Sequence, residues 1–165
     1  MQHLHSYWRT EYIECPKNAD HKGADLFVEL PKAENDRDVY IIWRGKTCYL
    51  ILNKFPYNAG HLMAVPFRKV GSMEALQPEE RTELMDAIIK AQNLLTEAIK
   101  PNGFNIGINV GSAAGAGIPD HIHVHIVPRW EGDTNFMPVT ADTKILSQGL
   151  DAMWERLSAC LKNSQ

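Results

Sequence analysis

Residues 121–126 read His-Ile-His-Val-His-Ile. In an extended chain successive side chains point to opposite faces, so His121, His123 and His125 share one face while Ile122, Val124 and Ile126 share the other. The aliphatic face needs a core behind it. The segment therefore predicts a strand of a sheet that is packed on one side and carries three imidazoles on the other, each about 6.6 Å from the next at a rise of roughly 3.3 Å per residue. Pro128 has no ladder donor and is expected to end the strand.

The rest of the chain supplies the core. Val39–Trp43 and Cys48–Leu52 are β-branched and aromatic-rich runs joined by Arg44-Gly45-Lys46-Thr47, a hairpin pattern. Further strands are expected over Asp25–Pro31, His61–Pro66 and Phe104–Val110. Pro78, with Glu79 and Glu80 behind it, opens a helical pattern whose apolar residues Leu84, Ile88, Ala91, Leu95 and Ala98 recur at three and four residues. Pro101-Asn102-Gly103 closes it after about six turns. Ile145, Leu146, Leu150, Met153, Trp154 and Leu157 outline a C-terminal helix. Met63 and Met85 read as core. Runs of strands with helices inserted in two places predict an α+β fold with an antiparallel sheet.

With 165 residues, 44% of them hydrophobic, the chain is long enough for one core and too short for two. Residues 1–23 lack periodicity, yet Trp8, Tyr12 and Ile13 are apolar, so an N-terminal arm that packs on something is expected before a single domain over 24–165. A formal charge of −3 with scattered basic residues weighs against nucleic acid as partner. Cys15, Cys48 and Cys160 form no Cys-x-x-Cys pair, which fits free thiols in a reducing cytoplasm. No apolar run approaches the roughly 20 residues of a membrane span, and the first residues lack the apolar stretch of a secretory signal.

A row of imidazoles has three uses: holding a metal, handling phosphate, or decorating a solvated face. Strict alternation against a wholly aliphatic opposite face disfavours decoration. The residues after the row are Val127, Pro128, Arg129 and Trp130, with the acidic Glu131 only after them, and an arginine there repels a divalent cation. Before the row lies Gly111-Ser112-Ala113-Ala114-Gly115-Ala116-Gly117, whose small residues let backbone N–H groups approach an anion. Asn53 alone reads as a turn cap, and Lys54 and Arg129 either steer polyphosphate or are solvated charges. Trp130 and Phe136 read as packing residues; His3 and His5 carry no chemistry.

The run His121-Ile122-His123-Val124-His125-Ile126-Val127-Pro128-Arg129 resembles the signature of the histidine-triad nucleotide-binding family. Asn53–Pro66, with its Gly60-His61-x-x-x-x-Pro66, and Asn109-Val110-Gly111-Ser112 are similar to that family's flanking segments. Trp8–Ile13 and Pro128–Phe136 are similar to the bacterial branch that includes diadenosine tetraphosphate phosphorylases.

The resemblance implies an antiparallel sheet of about five strands with a long helix and a C-terminal helix, continued across a homodimer. It makes His123 the nucleophile that forms a nucleotidyl-histidine, with His121 and His125 bonding phosphate oxygens or helping the leaving group depart. It places Asn53 at the ribose hydroxyls and Asn109 at phosphate, beside the amides of Gly111, Ser112, Gly115, Ala116 and Gly117. Gly117 stands where many members carry Gln or Ser. Some members hold zinc through an N-terminal Cys-x-x-Cys; Cys15-Pro16-Lys17-Asn18 departs from it, so no zinc and no cofactor are expected. The implied reaction is cleavage of a dinucleoside polyphosphate at the α-phosphate, with phosphate favoured over water as acceptor. Hydrolysis, phosphoramidate cleavage, a slow nucleotide sensor and a metal-dependent hydrolase or oxygenase are the alternatives.

Overall fold

A computed structural model describes residues 25–136, 140 and 146–163. The elements in chain order are α1 (Leu26–Glu29), β1 (Ile41–Arg44), β2 (Cys48–Leu52), β3 (Leu62–Pro66), α2 (Pro78–Ile99), β4 (Gly103–Ile108), β5 (Val124–Arg129) and α3 (Leu150–Asn163). The five strands form one sheet in the order β1-β2-β3-β5-β4, every neighbouring pair antiparallel. After β3 the chain crosses through α2 to the far edge, lays down β4, and returns to insert β5 between β3 and β4. The triad strand is thereby flanked on both sides.

The β1–β2 hairpin closes with Gly45 N–H on the Cys48 carbonyl at 2.8 Å. Glu83 of α2 accepts from the Lys46 and Thr47 amides and from the Thr47 hydroxyl, pinning the turn to the helix. Gln77 and Glu80 form a capping box at the start of α2, with Pro78 at its first turn. Leu84, Ala87, Ile88, Ala91, Leu94, Leu95 and Ala98 make one buried stripe against Leu50, Leu52, Leu62, Ala64, Ile122, Val124 and Ile126. Each fully buried Leu or Ile in that layer contributes about 1.5–3 kcal/mol relative to exposure. Met153 and Leu157 of α3 join the same core, and Trp154 Nε1 donates to the Ile41 carbonyl at 2.9 Å. On the opposite face Phe27, Ile41, Tyr49, Ile51, Met63 and Val65 form a second cluster.

Several expectations shift. Asp25–Pro31 is a helical turn rather than a strand: Asp25 Oδ1 caps the Phe27 amide at 3.0 Å, and a 3-10 turn with Pro31 in its first residues follows. Asp at a helix N-cap outweighs the β-branched and aromatic content of so short a run. Val39 and Tyr40 fall outside β1, because the chain turns at Tyr40 with φ 59 and Ile41 N–H bonds back to the Asp36 carbonyl. β4 stops at Ile108 instead of Val110. β5 occupies 124–129 rather than 121–126 and runs through Pro128. The Pro128 carbonyl takes Asn58 Nδ2 at 3.0 Å on the β3 side, and β3 has ended opposite Ile126, so the missing N–H falls where no ladder continues.

Met85 is 57% exposed, not core, since the buried stripe of α2 lies on the other side of the helix. α3 begins at Leu150, with Leu146 ahead of it; Ile145 lies outside the described residues, as do the arm over 1–23 and Trp8–Ile13 within it. No helix among the described residues is long and apolar enough to cross a membrane.

Candidate active site

His125 lies in the β5 ladder opposite Met63 and Gly107, while His121 and His123 precede it. The alternation survives outside the ladder. Ile122, Val124 and Ile126 enter the main core; the three imidazoles line the other face beside the Phe27 cluster. His121 is fully buried, His123 is 7% exposed and His125 is half-buried. The His123 and His125 rings meet edge-on with centroids 4.9 Å apart, closer than a flat strand would hold them.

Hydrogen-bond partners give each ring its own protonation pattern. His123 Nδ1 is 2.9 Å from the His121 carbonyl, which only accepts, so Nδ1 carries the hydrogen and Nε2 keeps its lone pair. That Nε2 has no partner among the described residues, and no buried side-chain nitrogen there lacks one, so it opens to solvent. Burial is the largest influence on the His123 pKa and holds it below the ordinary 6.5, leaving the ring neutral at neutral pH.

The hydrogen on His125 is set from one residue further out. The Tyr57 amide donates to His61 Nδ1 at 3.1 Å, so the neutral His61 ring carries its hydrogen on Nε2. His61 Nε2 is 3.0 Å from His125 Nδ1, which accepts, and the His125 hydrogen therefore sits on Nε2. His61 is itself fully buried, with Tyr57 stacked on it at 4.9 Å and 19°. Gly60 makes this placement feasible: its φ is 80, and a Cβ there would lie 2.8 Å from Ile99 Cδ1. His121 differs again, with Nε2 2.9 Å from the Pro66 carbonyl and Nδ1 3.1 Å from Asp25 Oδ1, so both nitrogens are engaged within the protein.

A groove of about 400 Å³ runs from His125 across β5 and β4, lined by Tyr57, Asn105, Gly107, Asn109, Val127 and Arg129 among others. It unites three of the expected residues, His125, Asn109 and Arg129. The Arg129 guanidinium is already engaged: it bonds both oxygens of Asp133, at 2.6 and 2.9 Å, and Asn105 Oδ1 at 2.6 Å. That pairing pushes its pKa up and makes it a wall of the groove. Asp133 also accepts from Asn58, tying the wall to the loop before β3.

Asn53 Oδ1 accepts from the Phe55 amide at 2.9 Å in a turn, and its Nδ2 lies 3.5 Å from His61 Nδ1. Lys54 is exposed and makes no ion pair among the described residues. The Gly111–Gly117 loop turns at Gly111 and Gly115, with φ of 80 and 81; Ala116 is buried and Gly117 exposed, and neither lines the groove. Trp130 Nε1 donates to the Lys100 carbonyl, whereas Phe136 is 70% exposed rather than packed. A larger cavity, about 590 Å³, sits at the other edge of the sheet between β1 and α3 and touches no triad residue. Among the described residues no group of three or more His, Cys, Asp and Glu side chains is arranged to hold a metal ion.

The family model for the HIT domain matches residues 33–132. This chain belongs to the HIT family. A Mycobacterium tuberculosis relative named AP-4-A phosphorylase is 39% identical over 153 residues, spanning 90% of this chain and 78% of that one. A Schizosaccharomyces pombe relative named bis(5'-nucleosyl)-tetraphosphatase (asymmetrical) is 34% identical over 93 residues, 56% of this chain and 50% of that one. The solved structure of a hypothetical histidine triad nucleotide-binding protein from Sulfolobus tokodaii aligns with a TM-score of 0.68 at 22% identity, covering 84% of this chain and 93% of the other, and shares its fold.

Sequence reasoning left three residues of this HIT site without a role. His61 was visible as a histidine at the head of an otherwise apolar strand, but its contact with His125 lies 64 residues away. Asp25 and Phe27, which touch the triad, were hidden by the strand expected over 25–31.

Proposed function

We propose that this HIT protein is a nucleotidyltransferase that cleaves dinucleoside polyphosphates of the diadenosine tetraphosphate kind at the α-phosphate through a nucleotide covalently held on His123. The carrying observation is the neutral His123 ring with Nδ1–H pinned to a backbone carbonyl and the Nε2 lone pair facing outward. Such a ring attacks phosphorus without first losing a proton.

Nε2 forms a bond to the α-phosphorus as the bond from that phosphorus to the bridging oxygen breaks, leaving AMP on His123 and releasing ATP. His125, with hydrogen on Nε2, donates to the departing oxygen or to a phosphoryl oxygen. Asn109, which lines the groove, is an amide donor for the same phosphate. In the second step an oxygen of inorganic phosphate bonds to the α-phosphorus, the P–N bond breaks and ADP leaves. The Mycobacterium tuberculosis relative named as a phosphorylase supports phosphate as acceptor. With water as acceptor the product is AMP, in line with the Schizosaccharomyces pombe relative's name. No metal or cofactor enters these steps.

We also propose a cytoplasmic homodimer. β4 is an edge strand with Ile106 42% exposed, Val110 just past its end is 56% exposed, and α2 carries Met85 and Ile89 at 57% and 49%. An edge that no strand among the described residues pairs with, flanked by apolar residues, favours pairing with a second copy, which continues the sheet.

Incubation with diadenosine tetraphosphate, with and without phosphate, and resolution of the products tests the reaction. ADP and ATP that appear only with phosphate identify a phosphorylase; AMP and ATP without it identify a hydrolase. Activity retained by His123→Ala removes the nucleophile assignment.

A further inference from the structure

Asp25 stands at the N-cap of a single helical turn, yet its carboxylate is placed for more than capping. Its side chain is 5% exposed. Oδ1 accepts from the Phe27 amide at 3.0 Å and lies 3.1 Å from His121 Nδ1, and Oδ2 lies 3.5 Å from Lys69 Nζ. The other ring nitrogen of His121 faces the Pro66 carbonyl at 2.9 Å. A carbonyl has no hydrogen to give, so Nε2 carries one. Nδ1 faces a carboxylate oxygen, and two lone pairs at that distance in a fully buried pocket repel, so a second hydrogen lies in the Asp25–His121 contact. Both ends of the His121 ring are therefore clamped by protein acceptors.

The clamp bears on the nucleophile through the backbone. Residues 121–123 precede β5, so no ladder fixes the direction of the His121 carbonyl; nearby, His121 N–H makes only a 3.3 Å turn bond to Ile118 and Ile122 N–H bonds Val70 at 2.7 Å. That carbonyl is the acceptor for His123 Nδ1–H. The same Asp25 oxygen sets α1, whose Phe27 ring packs against His121 at 5.5 Å and His123 at 4.9 Å. We propose that Asp25 is a positioning residue for the nucleophile: by anchoring His121 and seating Phe27, it holds the His121 carbonyl where it selects the Nδ1–H tautomer of His123. His121, in turn, works from inside the protein and does not touch substrate. This rests on His123 being the nucleophile.

The test compares Asp25→Ser with wild type, since serine caps a helix nearly as well as aspartate but removes the carboxylate. Side-chain ¹⁵N NMR of the histidines, recorded without substrate, reads tautomers directly. Wild type is expected to show a hydrogen shared in the contact of His121 Nδ1 with Asp25 and His123 with hydrogen on Nδ1; the variant is expected to lose that shared-hydrogen signal at His121 and to show mixed tautomers at His123. In single-turnover assays with diadenosine tetraphosphate the nucleotidylation rate is expected to fall about 10- to 100-fold, the scale for a misplaced reacting group. KM is expected to stay within about two-fold. A folded variant with wild-type tautomers and a wild-type rate overturns the proposal. Should Asp25→Ser not fold, Asp25→Asn, which keeps the shape and the cap, decides by the same spectra. If wild type takes no nucleotide, the nucleophile assignment fails, while the spectra still report whether Asp25 sets the tautomers.

Discussion

Replacing His61 by Ala removes a ring that is fully buried and acts at two places at once. The half-buried Tyr57 amide loses its acceptor, at a cost of up to about 1–3 kcal/mol for a donor left unpaired. Loss of the Tyr57 stacking adds about 0.5–1.5 kcal/mol. A total of about 1.5–4.5 kcal/mol lowers Tm by roughly 3–18 °C for a domain of this size, so the variant stays folded at 25 °C within the usual 5–15 kcal/mol stability. The kinetic effect goes through His125: without the His61 Nε2–H on its Nδ1, the His125 hydrogen is no longer confined to Nε2. A general acid is worth about 10²–10⁴-fold, and loss of tautomer control forfeits part of it, about 10-fold or about 1.4 kcal/mol. Single-turnover nucleotidylation of His61→Ala, His125→Ala and the double variant closes a cycle. If His61 acts only by setting His125, the double variant is no slower than His125→Ala, and the coupling energy equals the whole His61 effect. A substrate that releases a weakly basic oxygen, such as the nitrophenyl ester of AMP, should show smaller losses throughout. Additive losses, or equal sensitivity with both leaving groups, refute the relay.

The depressed His123 pKa predicts the acid limb of kcat/KM. The reactive neutral form is fully populated above the folded pKa and lost as pH falls through it, so the midpoint lies below 6.5, and a midpoint above that value contradicts the burial argument. The same shift means the unfolded chain binds more protons at acid pH, so stability measured by urea titration should decline as pH drops below about 6.5. Gly107 pairs with His125, and a Cβ built on it meets nothing within 4 Å. Gly107→Val should therefore fold normally yet cut turnover of diadenosine tetraphosphate about tenfold while sparing the nitrophenyl ester, as expected of a pocket wall that blocks one leaving group; equal effects on both exclude the groove as its path. Ile106→Lys on the open edge of β4 should shift the protein to monomer in sedimentation experiments, with the fold preserved.

The sheet was readable wherever local pattern and tertiary demand agree. β2, β3 and α2 lie within a residue or two of their expected positions because an apolar run or stripe there meets a core on the matching face. Asp25–Pro31 misled because seven residues with apolar side chains at 26, 27, 28 and 30 satisfy a strand and a helical turn alike; the discriminating fact is the Asp25 cap, a hydrogen bond and not a period. Met85 misled because hydrophobicity alone does not say which side of α2 faces the sheet. β5 slid three residues toward the C-terminus because the backbone of 121 and 122 is claimed by Ile118 and Val70, contacts no alternation of side chains announces.

Alternation brought three like rings to one face, but it could not make them unlike, and the proposed chemistry requires that they differ. Each is differentiated by a partner remote in sequence or by backbone: Asp25 is 96 residues from His121 and Pro66 is 55, His61 is 64 from His125, and His123 answers to the carbonyl of His121 itself. The order of strands explains how these meet. Because β5 is threaded between β3 and β4, the residue just before β3 and its last residue, His61 and Pro66, fall beside His125 and His121 respectively, as antiparallel pairing demands. One neighbouring strand thus sets the hydrogen of one outer ring and clamps the other, and the central ring, touched by neither end, is left to hold its lone pair outward. A register slip of β3 against β5 by two residues would keep every side chain on its face and still uncouple both outer rings.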